Sequence, residues 1–282
     1  MFDWNSEQYL KFASERTRPA IDLASRLEAR SSGRILDLGC GPGNSTAVLK
    51  KYFPAAEILG VDNSPGMIER ARRDYPDLSF RLFDAADSFR VLGDGWNVIF
   101  SNACLQWVPD HRALLVKLLD ALTTDGELAV QIPLQTKAPF HALLRKKVMS
   151  ERWAPFLKGT GKFHILDELE YCELLRTYAG SFSMWESDYF HILDSPQAVL
   201  QWYRGTGLRP YLRVLPPEMH PEFEAEILSG IESLFPRLHD GSVVFKFPRL
   251  FFVARKKADA EEEHVRNQKS GSLQSAKSLR SV

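Results

Sequence analysis

Cysteine is scarce in this chain: three in 282 residues, at positions 40, 104 and 172, and no two form a C-x-x-C pair. That argues against a disulfide framework and fits free thiols in a reducing compartment. The seven histidines show no H-E-x-x-H or comparable ligand spacing, so no metal is expected. Net charge is absent too, with 36 Lys and Arg against 36 Asp and Glu. A protein that grips nucleic acid or an anionic membrane would carry a positive excess, and neither partner is expected. No apolar run reaches the length of a membrane span, and Met1-Phe2-Asp3-Trp4-Asn5 does not read as a secretory signal. With 44% hydrophobic and 26% charged residues, the chain reads as an ordinary cytoplasmic globular protein, compatible with a monomer.

The most informative stretch is ILDLGCGPG at residues 35–43. A short apolar run ends in Asp37, glycines follow at 39, 41 and 43, and the composition turns helical through Ser45–Lys51. That is a strand, a tight turn and a helix, with glycines that let a ligand approach the main chain. A dinucleotide fingerprint would place its third glycine at position 44, where this chain has Asn44. A dinucleotide loop aims helix N–H groups at a pyrophosphate. An acid two residues ahead of the first glycine instead suits a ligand with an amino group and no phosphate.

Two further acids end the next two strands. Ile58-Leu59-Gly60-Val61 closes in Asp62, at the mouth of the same crevice, where a carboxylate can accept two ribose hydroxyls. Ser64 is the expected cap of the following helix, with Pro65 at its first position. Leu78–Leu82 then leads to Asp84. The run as a whole resembles the class I methyltransferases, whose ligand is S-adenosylmethionine. The resemblance implies that Asp84 accepts the adenine amino group, with Ala85 alongside. It assigns the cofactor to Asp37, Gly39, Gly41, Asn44, Asp62, Asn63, Met67, Asp84, Ala85 and Asn102.

Strands continue at Trp96–Ser101 and Leu128–Ile132, with a helix over Arg112–Leu119 between them. Near-continuous apolar strands joined by helices mean a parallel sheet covered on both faces. The expected fold is α/β: a Rossmann-like, seven-stranded, mostly parallel sheet with helices on both faces and a helical lid over the crevice. Residues 1–30 form a helical cover and 31–192 the core, with a helical insertion at 133–166. Residues 193–240 form the lid, 241–257 the final strand, and 258–282 a polar tail expected to be disordered. A helix is expected around His141–Met149 and another from Asp167 to Tyr178, a sixth strand at Ser183–Phe190, a helical stretch over Pro196–Phe235 and a last strand at Arg249–Ala254.

The acceptor must be read from charge. A hydroxyl or ammonium acceptor needs a base, whereas a carboxylate is already ionised at neutral pH. Residues 131–149 hold Lys137, Arg145, Lys146 and Lys147 with no acid, and residues 195–217 hold Arg204, Arg209 and Arg213 with no acid. Arginine suits a carboxylate because its planar fork bonds both oxygens. Arg209 lies in the turn Gly205-Thr206-Gly207-Leu208-Arg209-Pro210, and Arg249 has apolar neighbours, so its burial would demand an anionic partner, which could equally be a protein carboxylate.

Most of residues 1–255 resembles the trans-aconitate methyltransferase family. The carrying segments are Asp3-Trp4-Asn5 with Tyr9-Leu10 and Phe12, Glu15–Ala20, DLGCGPGNST at 37–46, SNACLQWVPDH at 101–111, Thr206–Pro210 and Phe247–Phe251. The resemblance implies monomethyl esterification of trans-aconitate, a small tricarboxylate, with no general base and hence no catalytic residue in that sense. Arg209 and Arg249, with Arg16 or Arg18, are expected to hold the acceptor, and Trp4, Tyr9 and Trp107 to wall the pocket. His111 reads as a cap-region residue. Two alternatives stay open: a hydroxyl or amine acceptor with a hidden base, and a non-catalytic cofactor-binding protein. A nicotinamide oxidoreductase is disfavoured by Asn44 and the lack of a second nucleotide-binding half.

Overall fold

The computed structural model describes residues 12–28, 33–87, 89–134, 137–161 and 163–257. Its frame is a seven-stranded sheet: β1 (Arg34–Leu38), β2 (Glu57–Asp62), β3 (Ser79–Leu82), β4 (Trp96–Asn102), β5 (Leu122–Pro133), β6 (Ala179–Leu193) and β7 (Val243–Lys256). The spatial order is β3-β2-β1-β4-β5-β7-β6. The first five strands pair in parallel, and β7 runs antiparallel between β5 and β6. The order reverses at β1, and that reversal opens a crevice beyond the carboxyl ends of β1 and β4.

Side-chain alternation gives each face its own core. Leu36, Leu38, Ile99, Leu128, Val130 and Phe252 meet α4 (His111–Asp120) and α7 (Glu168–Tyr178) through Leu114, Leu118, Tyr171 and Leu175. Ile35, Val98, Phe100, Ala129 and Phe251 face α1 (Ala13–Ala24) and α2 (Asn44–Tyr52) through Leu23, Ala24, Val48 and Leu49. A third helix, α3 (Pro65–Asp74), is capped by Ser64, whose Oγ accepts the Met67 amide at 3.3 Å, with Pro65 in its first turn.

The remaining helices build a second body. α5 (Pro139–Val148), α6 (Ala154–Leu157), α8 (Pro196–Arg204), α9 (Arg209–Val214) and α10 (His220–Leu234) bury Phe140, Trp153, Trp202, Tyr203, Phe223 and Ile231 together with Phe245 and Phe247 of β7. Segments separated by the whole of α7 and β6 thus share one core, with Phe140 stacked on Tyr203 at 3.5 Å between ring centroids.

Several elements differ from the sequence reading. The stretch 196–235 is three α-helices, because Gly205 and Gly207 interrupt it and Pro210, Pro216 and Pro217 can start helices but not continue them. β6 and β7 each outrun the expected strand, since they pair along almost their whole length from Ala179↔Lys256 to Leu193↔Val243. β5 begins at Leu122, ahead of the expected Leu128, and holds an irregularity within it, with Asp125 at φ 62 and a register shift opposite Trp96–Val98.

Candidate active site

The glycine loop leaves β1 as a tight hook. The Gly39 and Cys40 amides share the Val61 carbonyl at 2.8 and 2.9 Å. Gly39 has φ +77, and a side chain there would strike Cys104. Gly41 has φ +55 but faces open space, with no atom within 4 Å of where a Cβ would stand. Main chain is therefore bare on the crevice side, as a closely approaching ligand requires.

Asp37 is fully buried at the root of this loop. Its Oδ2 accepts hydroxyls from Ser45 and Thr46, both at 2.6 Å, while Oδ1 has no hydrogen-bond partner among the described residues. Burial outweighs those two bonds and pushes the carboxyl up to about 6. Asp62 clamps the loop from β2: Oδ2 accepts the Gly41 amide at 3.0 Å and Oδ1 the Ser64 amide at 2.9 Å. Each carboxylate oxygen has a second lone pair to offer. Burial raises Asp62 as well, against the pull of its backbone donors. Asp84 is exposed beyond β3, accepting from Asn63 Nδ2 at 3.1 Å and the Ala86 amide at 2.9 Å, while Ala85 and Met67 are buried.

Asn44 and Asn102 complete this part of the site. Both line the depression next to Gly39, Arg16 and Thr17, and both have a buried amide oxygen without a hydrogen-bond partner among the described residues. Unmet acceptors on Asp37, Asn44 and Asn102 beside a bare glycine loop fit a ligand with a cationic amino group and hydroxyl donors. Asn102 is delivered by a strained turn. Ala103 has φ 55, its amide donates to the Gln131 carbonyl at 3.0 Å, and Gln106 Nε2 clasps its carbonyl at 2.7 Å. Much of the Asn-x-x-Leu-Gln-Trp segment is therefore turn architecture. Trp107 is half-buried and packs on Phe163, ring centroids 4.9 Å apart.

The crevice turns cationic towards β7. Arg249 is only 3% exposed; its Nη1 donates to Gln131 Oε1 at 3.1 Å, and its guanidinium lies 4.7 Å from the Phe247 ring and 5.6 Å from that of Tyr189. Arg16 on α1 is 8% exposed, donates to the Trp202 carbonyl at 3.3 Å and lies 5.0 Å from the Trp202 ring. Trp202 joins the two, 5.8 Å from Phe247 and 5.0 Å from a buried His191. Burial and the nearby Arg249 charge push His191 down to about 4. Gln131 and His191 were missed in sequence; a buried glutamine in an apolar strand was the available signal.

Other expectations need correction. Arg18 is exposed and pairs with Asp22 at 3.6 Å, because two residues on a helix turn it about 200° away from Arg16. Arg209 is half-exposed and opens α9 rather than sitting in a separate turn, because Pro210 seeds the helix. The basic segments are also not bare. Lys137 pairs with Glu168 and Glu186, Lys147 with Glu226, and Arg204 with Glu224. Trp4 and Tyr9 lie outside the described residues. His111 is a buried structural group, with Nδ1 2.5 Å from the Tyr171 hydroxyl and Nε2 2.7 Å from the Leu105 carbonyl. Its helix is capped by Asp110. Among the described residues no group of His, Cys, Asp and Glu could hold a metal, and no helix is long and apolar enough to cross a membrane.

This sheet order, glycine loop and row of strand-end acids define a class I methyltransferase fold. The methyltransferase domain family matches residues 9–179. Trans-aconitate 2-methyltransferase from Methylobacterium nodulans is 41% identical over 258 residues, covering 91% of this chain and 99% of the relative. The protein of the same description from Klebsiella pneumoniae is 40% identical over 256 residues, covering 91% and 99%. Among solved structures, YcgJ from Bacillus subtilis shares the fold with a TM-score of 0.57 at 13% identity, covering 86% of this chain and all of its own. Phosphoethanolamine N-methyltransferase 2 from Haemonchus contortus, solved with S-adenosylhomocysteine, gives 0.52 at 16%, covering 85% of this chain and 52% of that one. The chain belongs to the methyltransferase family and, within it, to the group whose curated members are called trans-aconitate 2-methyltransferase.

Proposed function

We propose that this protein transfers the methyl group of S-adenosylmethionine to a carboxylate oxygen of trans-aconitate, giving a monomethyl ester. Besides the family, one observation carries the acceptor: two buried guanidiniums, Arg16 and Arg249, meet the same aromatic cluster next to the glycine loop. A carboxylate suits each of them, because a buried guanidinium presents a planar fork that bonds both oxygens.

When bound, the cofactor supplies a methyl group on positively charged sulfur. Asp37, Gly39, Gly41, Asn44, Asp62, Asn63, Met67, Asp84, Ala85 and Asn102 are the residues proposed to hold it. Asp37 and Asn102 offer acceptors to its cationic portion, and Asp62 offers lone pairs to ribose hydroxyls. Arg16 and Arg249 orient the acid, with Arg209 and Trp107 at the rim, and the helical body of α5, α6 and α8–α10 acts as a lid that keeps water out. An ionised carboxylate needs no proton removed, so no residue is assigned as a base. The zero net charge and sparse free cysteines favour a cytoplasmic enzyme of small molecules over one of nucleic acid.

The test is incubation with methyl-labelled cofactor and a panel of trans-aconitate, citrate and a phenol. Label recovered as an alkali-labile ester of trans-aconitate is the expected result. Label on the phenol and on none of the acids would overturn the proposal.

A further inference from the structure

Gln131 is fully buried on β5, and the parallel pairing sets it beside Asn102 of β4. On its other side β7 runs antiparallel, with Phe251 opposite Gln131 and Arg249 two residues along the same face. Arg249 Nη1 meets the glutamine amide at 3.1 Å. A guanidinium has donors only, so the amide group facing it must be the oxygen. This fixes the side chain against the oxygen–nitrogen ambiguity that usually attends an amide. The –NH2 group must then point away from Arg249, and there it is buried with no hydrogen-bond partner among the described residues. A buried donor of this kind is costly unless something accepts from it.

The geometry points to Gln131 as a specificity-determining residue that donates through Nε2 to a carboxylate oxygen of the acceptor. The inference rests on the carboxylate-acceptor reading above. It assigns to one residue two tasks: its oxygen holds Arg249 in place, and its nitrogen reads the acid beside that arginine. The row along the crevice then changes character, from acceptors at Asp37 and Asn102 to donors at Gln131 and Arg249. A cationic cofactor and an anionic acceptor are each met by the complementary end. The Gln131 main chain is tied in as well, since its carbonyl receives the Ala103 amide that shapes the Asn102 turn.

The test is calorimetric titration of trans-aconitate into protein saturated with S-adenosylhomocysteine, using wild type, Gln131→Glu and Gln131→Leu. Gln131→Glu is isosteric and keeps an oxygen for Arg249 while losing the donor; Gln131→Leu loses both. Both variants are expected to bind trans-aconitate at least about tenfold more weakly. Their affinity for S-adenosylhomocysteine should stay within about twofold, with melting transitions confirming that they fold. Wild-type affinity for trans-aconitate in Gln131→Glu would show that the residue only holds Arg249, and would overturn the inference. So would a loss that falls on S-adenosylhomocysteine. If wild type itself binds no trans-aconitate, the carboxylate reading fails and takes this inference with it. Binding by wild type and by Gln131→Glu alike removes the inference alone.

Discussion

Asp62 Oδ2 accepts the Gly41 amide at 3.0 Å, so the acid that ends β2 holds the glycine loop that follows β1. The residue expected to face the ribose is therefore also the clamp that shapes the cofactor cradle. Asp62→Asn keeps the volume but turns one of the two accepting oxygens into a donor, against either Gly41 or Ser64. Affinity for S-adenosylhomocysteine should fall about 10- to 100-fold. The melting temperature should drop by a few degrees. Calorimetric titration and thermal denaturation measure both, and unchanged cofactor affinity would contradict the assignment.

Asp37 makes stability and cofactor binding pull in opposite directions. Its folded-state pKa, about 6, lies above the ordinary value of 3.8. Its contribution to stability is thus full below about pH 4 and is lost as pH rises through about 6. Asp37→Asn should therefore melt higher than wild type at about pH 8 and lose that advantage towards about pH 4. The cationic cofactor favours the ionised carboxylate, so wild-type affinity should weaken as pH falls through about 6 and the variant should lack that step. Scanning calorimetry and titration across this range read both effects.

Arg249→Lys keeps the charge and loses the planar fork. The KM for trans-aconitate should rise about tenfold or more, with cofactor affinity nearly unchanged. Arg18→Ala, on the exposed face of α1, is the matched control. Its exposed pairing with Asp22 is worth less than about 1 kcal/mol, so steady-state kinetics should not change.

His191 is the residue a hidden-base mechanism would recruit, because it is buried against Trp202 and near Arg249, with Nε2 making no hydrogen bond among the described residues. Its pKa near 4 makes it a poor base at neutral pH. His191→Asn should keep kcat within about threefold, whereas a true general base would cost about 10²–10⁴ in rate.

The cofactor half of the site was legible because its signals are local. A glycine hook and an acid at each strand end are fixed by a few consecutive residues, and Asp37, Gly41 and Asp62 stand where that pattern implies. The acceptor half depends on pairing between distant segments. Gln131 stands out in sequence only as a polar residue in an apolar strand, and its partner appears when β7 folds back and sets Arg249 against it. Arg16 and Arg18 are indistinguishable in composition, and only the helical rotation of α1 decides which is buried. The basic segments looked acid-free because their counter-charges lie outside both windows: Glu168 on α7, Glu186 on β6, and Glu224 and Glu226 on α10.

The most direct test is the rate of labelled methyl transfer to trans-aconitate measured from about pH 6.5 to about pH 9, where the acceptor is already ionised. Ester formation at a nearly level kcat is expected, because no residue has to remove a proton. No ester, or a kcat climbing about tenfold per pH unit as a base-dependent step would, contradicts it.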